Sequence, residues 1–306
     1  MGELHVPEDS MSSSIGYVAS EWGKLFHSLP FTEVFGAGAA GPGKSMVLLF
    51  DPLEQILLEH SRCMDPKHPH KLLWGTSTGW ALHLRRETPM LQETIERSLR
   101  YFPLIDPNAD YDKKNSMWKF SSGYKFQFGH CQNDEDWGNF LSKQYTHIAY
   151  DELTQFNEEQ YHQINSRIRS SDPMLKNMLK IRACSNPFCK REKGQNYTVH
   201  DPHWVRKRFV DPDPNGRTVI SKTFKRGDGT TFQRTRMYLP ATLYDNPDKE
   251  FIRNYEENLL DKPPHIRQAM LYGDWYVTVG SHYAEDWIRE VHTCSSFKIP
   301  STWRVF

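Results

Sequence analysis

The chain has 306 residues, 38 of them basic and 38 acidic, with no formal net charge at neutral pH. That length holds one large domain or two modest ones, and the balanced charge excludes a globally basic nucleic-acid binder, so contact with a polyanion must use local patches. The longest apolar runs, such as MVLLF, are far too short to span a bilayer.

The first residues, MGELHVPEDSMSSS, carry acids and no apolar run, so they do not read as a secretory signal. Val6 stands where a myristoylation signal needs Ser or Thr. A tail is expected up to a short helix around Tyr17 to His27. PFTEVF then reads as a strand, followed by the glycine-rich stretch GAGAAGPGKS. SMVLLFDPLEQILLEHSRC reads as a helix that Pro52 kinks or shortens. CMDPKHPHK, with Cys63, His68 and His70, reads as a solvated loop rather than a metal site, because it holds two prolines and no second ligand cluster follows. The five cysteines are irregularly spaced, with no CxxC pair, as expected of reduced thiols.

WALHLRRE is a predicted strand, and MLQETIERSLRYF a helix with apolar positions at a 3.6-residue period. MWKFSSGYKFQFGH alternates around Ser-Gly and predicts a hairpin. THIAYDE predicts a buried strand ending in two acids, EEQYHQINSRIRS an amphipathic helix, and MLKIRACSNP a strand ending in a turn. This alternation predicts a three-layer α/β core on a mainly parallel sheet. Beyond about Asp211, TVISKTFKRGDGTTFQRTRMYL reads as two strands around Asp-Gly. Two short helices follow, in DNPDKEFIRNYEENLL and PPHIRQAMLYGDW, and from Tyr276 a linker and a further strand.

Gly38, Ala39, Ala40, Gly41, Pro42, Gly43, Lys44 and Ser45 fit G-x-x-x-x-G-K-[ST] without a mismatch. Glycines let consecutive N–H groups face an anion, and the helix that follows adds its positive end. Lys44 is placed to reach the β- and γ-phosphates of ATP, and the Ser45 hydroxyl to take a place on Mg²⁺. Pro42 offers one donor fewer than a glycine would. In HIAYDE, neighbouring residues point to opposite sides of the strand, so Asp151 can hold Mg²⁺ while Glu152 orients and deprotonates the attacking water. Ser185 and Asn186 end the next core strand, where polar groups can sense the γ-phosphate. The expected fold is therefore a three-layer P-loop NTPase core of RecA-like type on a mainly parallel sheet.

The series GAAGPGKS, WALHLRRETP, WKFSSGYKFQFGH, HIAYDELTQFNEEQYHQINSRIRS, SNP, DPHWVRKRF and LYDNP…YEENL…RQAMLYGDW closely resembles the large terminase subunits of tailed bacteriophages over about 31–306. The resemblance implies an ATP-driven motor that translocates double-stranded viral DNA through a portal into a procapsid. It implies as partners the portal protein, the small terminase subunit and other copies in a ring of five, in the cytoplasm of the infected host. Ser185 and Asn186 match the family's motif coupling hydrolysis to movement. The implied division is a tail and helix (1–30), an ATPase core (31–210), a lid (211–275), and a linker with the first strand of a nuclease domain (276–306). The nuclease's acidic cluster would follow that strand, so nuclease activity is not expected from these residues. Many relatives carry an arginine where Ala40 stands, and others one near Leu141 and Ser142. The missing cation must come from elsewhere, with Arg85, Arg86, Arg167 and Arg169 as candidates, including for a neighbouring subunit's site. The clusters Lys190-Arg191-Lys193 and Arg206-Lys207-Arg208 are candidate DNA contacts. Two other readings share the phosphate loop: a small-molecule kinase, which the adjacent acids disfavour, and a non-hydrolysing assembly component stabilised by nucleotide.

Overall fold

Nine strands form one sheet in the computed structural model, which describes residues 16–187, 203–277 and 294. The strands are β1 (Glu33–Gly38), β2 (Trp80–Arg85), β3 (Asp110–Asp112), β4 (Met117–Lys119), β5 (Lys125–His130), β6 (His147–Asp151), β7 (Lys180–Ser185), β8 (Ile220–Lys225) and β9 (Thr231–Ala241). Their order is β3-β4-β5-β2-β6-β7-β1-β9-β8. The six strands from β5 to β9 across the middle are parallel, and β4, β3 and β8 are antiparallel margins.

The helices are α1 (Glu21–Ser28), α2 (Lys44–Phe50), α3 (Leu53–Met64), α4 (Thr88–Ile105), α5 (Glu158–Asn165), α6 (Lys249–Leu260) and α7 (Pro264–Met270), with a helical turn over 203–210. Pro52 divides the long helix expected after the glycine loop: it cannot donate to the helix before it, and it stands as N-cap of α3. Ser20 caps α1, Asp248 caps α6, and Asn157 with Gln160 forms a capping box on α5.

Strand alternation sorts the core into layers. On β1, β2 and β6, Phe35, Leu82, Leu84, Ile148 and Tyr150 face α5 and the 203–210 turn through Phe156, Tyr161, Trp204 and Phe209. Val34 and Ala149 face the other way, toward Trp22, Phe26, Val47 and Leu48 on α1 and α2. A third cluster packs Phe50 and Phe102 against Trp118 and Phe126. Helices on both sides of a mostly parallel sheet make the predicted α/β fold.

Two parts differ from the sequence reading. The helix expected through 170 stops at Asn165, because the backbones of Arg167 and Arg169 turn to bond Tyr145 (3.0 and 2.9 Å). The stretch read as one lid over 211–275 is found in two places. β9 enters the main sheet beside β1, register Glu33↔Arg236, since its apolar residues Met237 and Leu239 are buried in the core. Only the segment after Ala241 forms its own small cluster, Leu243, Ile252, Leu259 and Leu271. The final stretch from Thr278 lies outside the described residues, apart from Cys294.

Candidate nucleotide site

The carboxyl ends of three adjacent strands converge: β1 delivers the glycine loop, β6 delivers Asp151 and Glu152, and β7 delivers Ser185 and Asn186. Such an end of an open parallel sheet is where α/β folds bind ligands.

Gly38, Gly41 and Gly43 all have positive φ (142°, 94° and 86°), the conformation that lets the loop curl around the start of α2. The backbone N–H groups of Gly41, Gly43, Lys44 and Ser45 donate to nothing among the described residues, which leaves a cluster of oriented donors at a helix start. Lys44 is buried, and its ammonium lies on two neutral oxygens, the Ala39 carbonyl (2.5 Å) and Asn186 Oδ1 (2.6 Å). Burial pushes its pKa down, against the pull of Glu152 and Asp151. An anion at the loop would relieve that penalty.

Ser45 Oγ donates to Asp151 Oδ1 at 3.1 Å. Arg85, at the end of β2, holds the other oxygen of Asp151 through Nε at 2.7 Å and reaches Ser45 Oγ at 3.3 Å. Glu152 has φ +63°, an uncommon conformation for a non-glycine residue. Its carboxylate accepts from Ser185 Oγ (3.1 Å) and from the N–H of Asn186 (3.4 Å). Burial and the adjacent Asp151 raise its pKa, against Lys44 and Arg85, which makes it a stronger proton acceptor than a free carboxylate. Ser185 Oγ also lies 2.7 Å from Thr154 Oγ1, a partner that the sequence reading did not pick out.

The four arginine candidates separate. Arg85 lies inside the site of its own chain. Arg86 is buried, bonded to Gln160 Oε1 at 2.9 Å and 3.7 Å from Asp134, so its guanidinium is not presented to a neighbouring subunit. Arg167 and Arg169 sit by Tyr145, before β6 begins, and about 20 Å along that strand from Asp151. The DNA-contact candidates also have internal uses: Arg206 pairs with Asp211 (3.2 Å) and Arg208 with Glu33 (2.7 Å), leaving Lys207 exposed. Lys190, Arg191 and Lys193 lie outside the described residues.

The end of β9 and the segment after it grip the loop. Ala241 O accepts from the Ala39 N–H (2.8 Å) and Met270 O from the Ala40 N–H (2.7 Å), and Asn246 Nδ2 donates to Gly41 O (2.6 Å). A Cβ on Gly41 would lie 2.6 Å from Leu243 Cδ1, and one on Gly273 would lie 2.8 Å from Ala39 N. Neither Asn246 nor Gly273 was singled out from sequence, because a loop partner some 200 residues away carries no local signal.

Among the described residues, no group of three or more His, Cys, Asp or Glu could hold a metal ion unaided. Ser45 and Asp151 offer the hydroxyl and carboxylate oxygens that suit Mg²⁺ bound chiefly through phosphates and water, so the residues present fit that ion. No helix among them is long and apolar enough to cross a membrane.

No protein-family model and no curated protein sequence matches the chain. Solved structures do resemble it. The large terminase from a thermophilic bacteriophage superposes with a TM-score of 0.54 at 13% identity, over 85% of this chain and 54% of that one. The same protein in complex with ADP gives 0.53 at 12%, over 84% and 54%. The large terminase ATPase domain of Thermus phage P74-26 gives 0.55 at 12%, over 88% and 98%. The chain thus has the fold of a large-terminase ATPase domain, and it spans about half the length of the first of these terminases.

Proposed function

We propose that this chain binds and hydrolyses ATP, and that the hydrolysis drives double-stranded viral DNA through a portal into a procapsid. The observation that carries the first half is the convergence on one sheet end of Lys44, four free loop N–H groups, the Ser45–Asp151 pair and Glu152. The likeness of fold to phage terminase ATPase domains, together with the sequence resemblance, supports the second half.

In this reading the loop N–H groups and Lys44 cradle the phosphates, and Lys44 trades the Ala39 and Asn186 oxygens for phosphate oxygens. Ser45 and Asp151 would hold Mg²⁺, which supplies neutralisation of charge across the β- and γ-phosphates. Glu152 accepts a proton from the attacking water. Ser185 bonds Glu152 and Asn186 bonds Lys44, so loss of the γ-phosphate is felt at β7 through both contacts. Arg85 supplies a cation within the same chain, beside Asp151, in place of the loop arginine that Ala40 lacks. Arg167 and Arg169 remain candidates for completing a neighbour's site in a ring of copies. The cluster after Ala241 serves as the lid. The proposed partners are DNA, portal, procapsid and small subunit, in the host cytoplasm.

The test is a pair of variants read by two assays. Lys44→Ala should lose ATP binding and turnover. Glu152→Gln should keep binding and lose turnover by roughly a hundredfold or more, the scale of a general base. Glu152→Gln that turns over at the wild-type rate removes Glu152 from the proposal.

A further inference from the structure

The charge of this neutral chain is unevenly placed. Residues 217–236 contain six cations, Arg217, Lys222, Lys225, Arg226, Arg234 and Arg236, and one carboxylate, Asp228. They fold as the β8–β9 ribbon, in which β8 is the outer margin of the sheet. β1 begins opposite Arg236, so the ribbon from Thr231 to Thr235, with its β8 partners, overhangs the sheet.

Directly paired residues of an antiparallel ribbon share a face. Ile220↔Arg236, Lys222↔Arg234 and Phe224↔Phe232 therefore make one face, and Ser221↔Thr235, Thr223↔Gln233 and Lys225↔Thr231 the other. On the first face the two phenyl rings stack with centroids 5.3 Å apart. Lys222 Nζ lies 5.3 Å from the Phe224 ring and the Arg226 guanidinium 4.7 Å from the Phe232 ring. Lys222, Lys225, Arg226 and Arg234 are exposed, and among the described residues none of them has an ion-pair partner. Asp228, exposed on the hairpin loop, accepts from Thr230 N–H and Oγ1 through one of its oxygens.

Lysine on an outer strand commonly does no more than block sheet extension. That explains one or two cations on β8. It does not explain Lys222 set directly opposite Arg234, since like charges so placed destabilise a strand pair, nor a face with two aromatic rings topped by cations. A repulsive pair of this kind is relieved by a polyanion.

We propose that the β8–β9 ribbon is a docking surface for the phosphate backbone of duplex DNA. An acidic protein surface is the competing occupant. The ribbon's other face also suits a nucleic acid: beside Lys225 it carries Ser221, Thr223, Gln233, Thr235 and Thr231, uncharged hydroxyl and amide groups of the kind that contact phosphate and sugar, so neither face repels a polyanion. Against six cations the ribbon sets a single carboxylate, Asp228, so it offers little to the lysines that protein surfaces carry. The choice of duplex DNA rests on the proposed packaging role. β9 runs from this ribbon to Ala241, whose carbonyl holds the glycine loop, so one strand spans the two sites over about 20 Å.

The experiment measures binding of a short labelled DNA duplex of arbitrary sequence over a range of salt concentrations. The proteins compared are wild type and the combined variant Lys222→Gln, Lys225→Gln, Arg226→Gln and Arg234→Gln. All four side chains are exposed and distant from the nucleotide site, so circular dichroism and ATP binding should be unchanged. Four phosphate contacts predict a slope of log affinity against log salt that is shallower by about 3.6 in the variant, and affinity at low salt should fall at least about tenfold. Equal affinity and equal slope in the two proteins would overturn the proposal. So would polyglutamate displacing the duplex as well as unlabelled duplex does, which assigns the ribbon to acidic protein. Ribbon-dependent DNA binding in a protein that neither binds nor hydrolyses ATP upholds this surface and sinks the motor reading.

Discussion

His83 sits in the middle of β2, fully buried, with Phe126 and Phe128 against its ring and no hydrogen-bond partner for either nitrogen. Burial drives its pKa from 6.5 down to about 4; Asp151 opposes that shift, while Arg85 and His147 add to it. The folded state therefore refuses a proton that the unfolded state accepts. Stability is whole above the unfolded value and is lost as pH falls through 6.5 toward 4. For one such group the loss between about pH 7.5 and about pH 5 is about 2 kcal/mol. Replacing His83 with Leu removes the titrating ring at similar volume. Urea unfolding, followed by tryptophan fluorescence at the two pH values, should show a pH-induced loss about 2 kcal/mol smaller in His83→Leu, a difference of roughly 0.5 M or more in midpoint. His147, also held low by burial, titrates in both proteins and cancels in the comparison. An unchanged pH dependence in the variant refutes the reasoning, because no other group is altered.

Asp51 is fully buried and accepts from His27 Nδ1 (2.9 Å) and His147 Nε2 (2.7 Å), with Arg182 Nε at 3.3 Å. Asp51→Asn strands the buried Arg182 charge and should cost about 3–5 kcal/mol at neutral pH, measured by denaturant unfolding. Because Arg182 and the histidines hold its pKa well below the usual carboxylate range, this contribution persists above the unfolded value and is lost only in acid. Gly273→Ala forces a left-handed residue (φ +70°) and puts a methyl 2.8 Å from Ala39 N. It should cost roughly 1–2 kcal/mol and weaken ATP binding by calorimetry, whereas Gly229→Ala, with φ +87° and open space around it, should leave ATP binding intact.

The parts of the site with local chemical signatures were legible. A glycine loop between a strand and a helix, and an apolar strand ending in Asp-Glu, announce themselves within ten residues. Arg85 was named only among four candidates, since its role comes from strand order. Leu84 registers with Tyr150, which brings Arg85 level with Asp151, and the sequence does not state that β2 neighbours β6. The same limit hid the place of β9, whose apolar residues read equally well as part of a separate lid. β3 went unseen because three residues, DYD, carry no periodicity. The arginines of 206–208 looked like a DNA patch because their partners Asp211 and Glu33 are identified only by folding.

The glycine loop is held through its first half, and this bears on how hydrolysis, as proposed, could do work. Its N-terminal part is fixed to the core strand through Ala241 and to α7 through Met270, while Asn246 holds Gly41 from the α6 side. Its C-terminal part, from Gly43 through Ser45, carries unpaired donors and the Lys44 ammonium. In the proposed reading phosphate would engage that second half of the loop, while the end of β9 and the segment after it hold the first. Lys44 is shared between Ala39, whose own N–H is bonded to Ala241, and Asn186 at the end of β7. Drawing Lys44 onto a phosphate releases both of those oxygens together. The first release acts on the loop residue anchored to β9, and the second on the strand whose Ser185 bonds Glu152. In the proposed reading, then, Lys44 and its two oxygen partners would carry the nucleotide's presence to the segment after Ala241, and the Ser185–Glu152 contact would carry it to β7 by a second route.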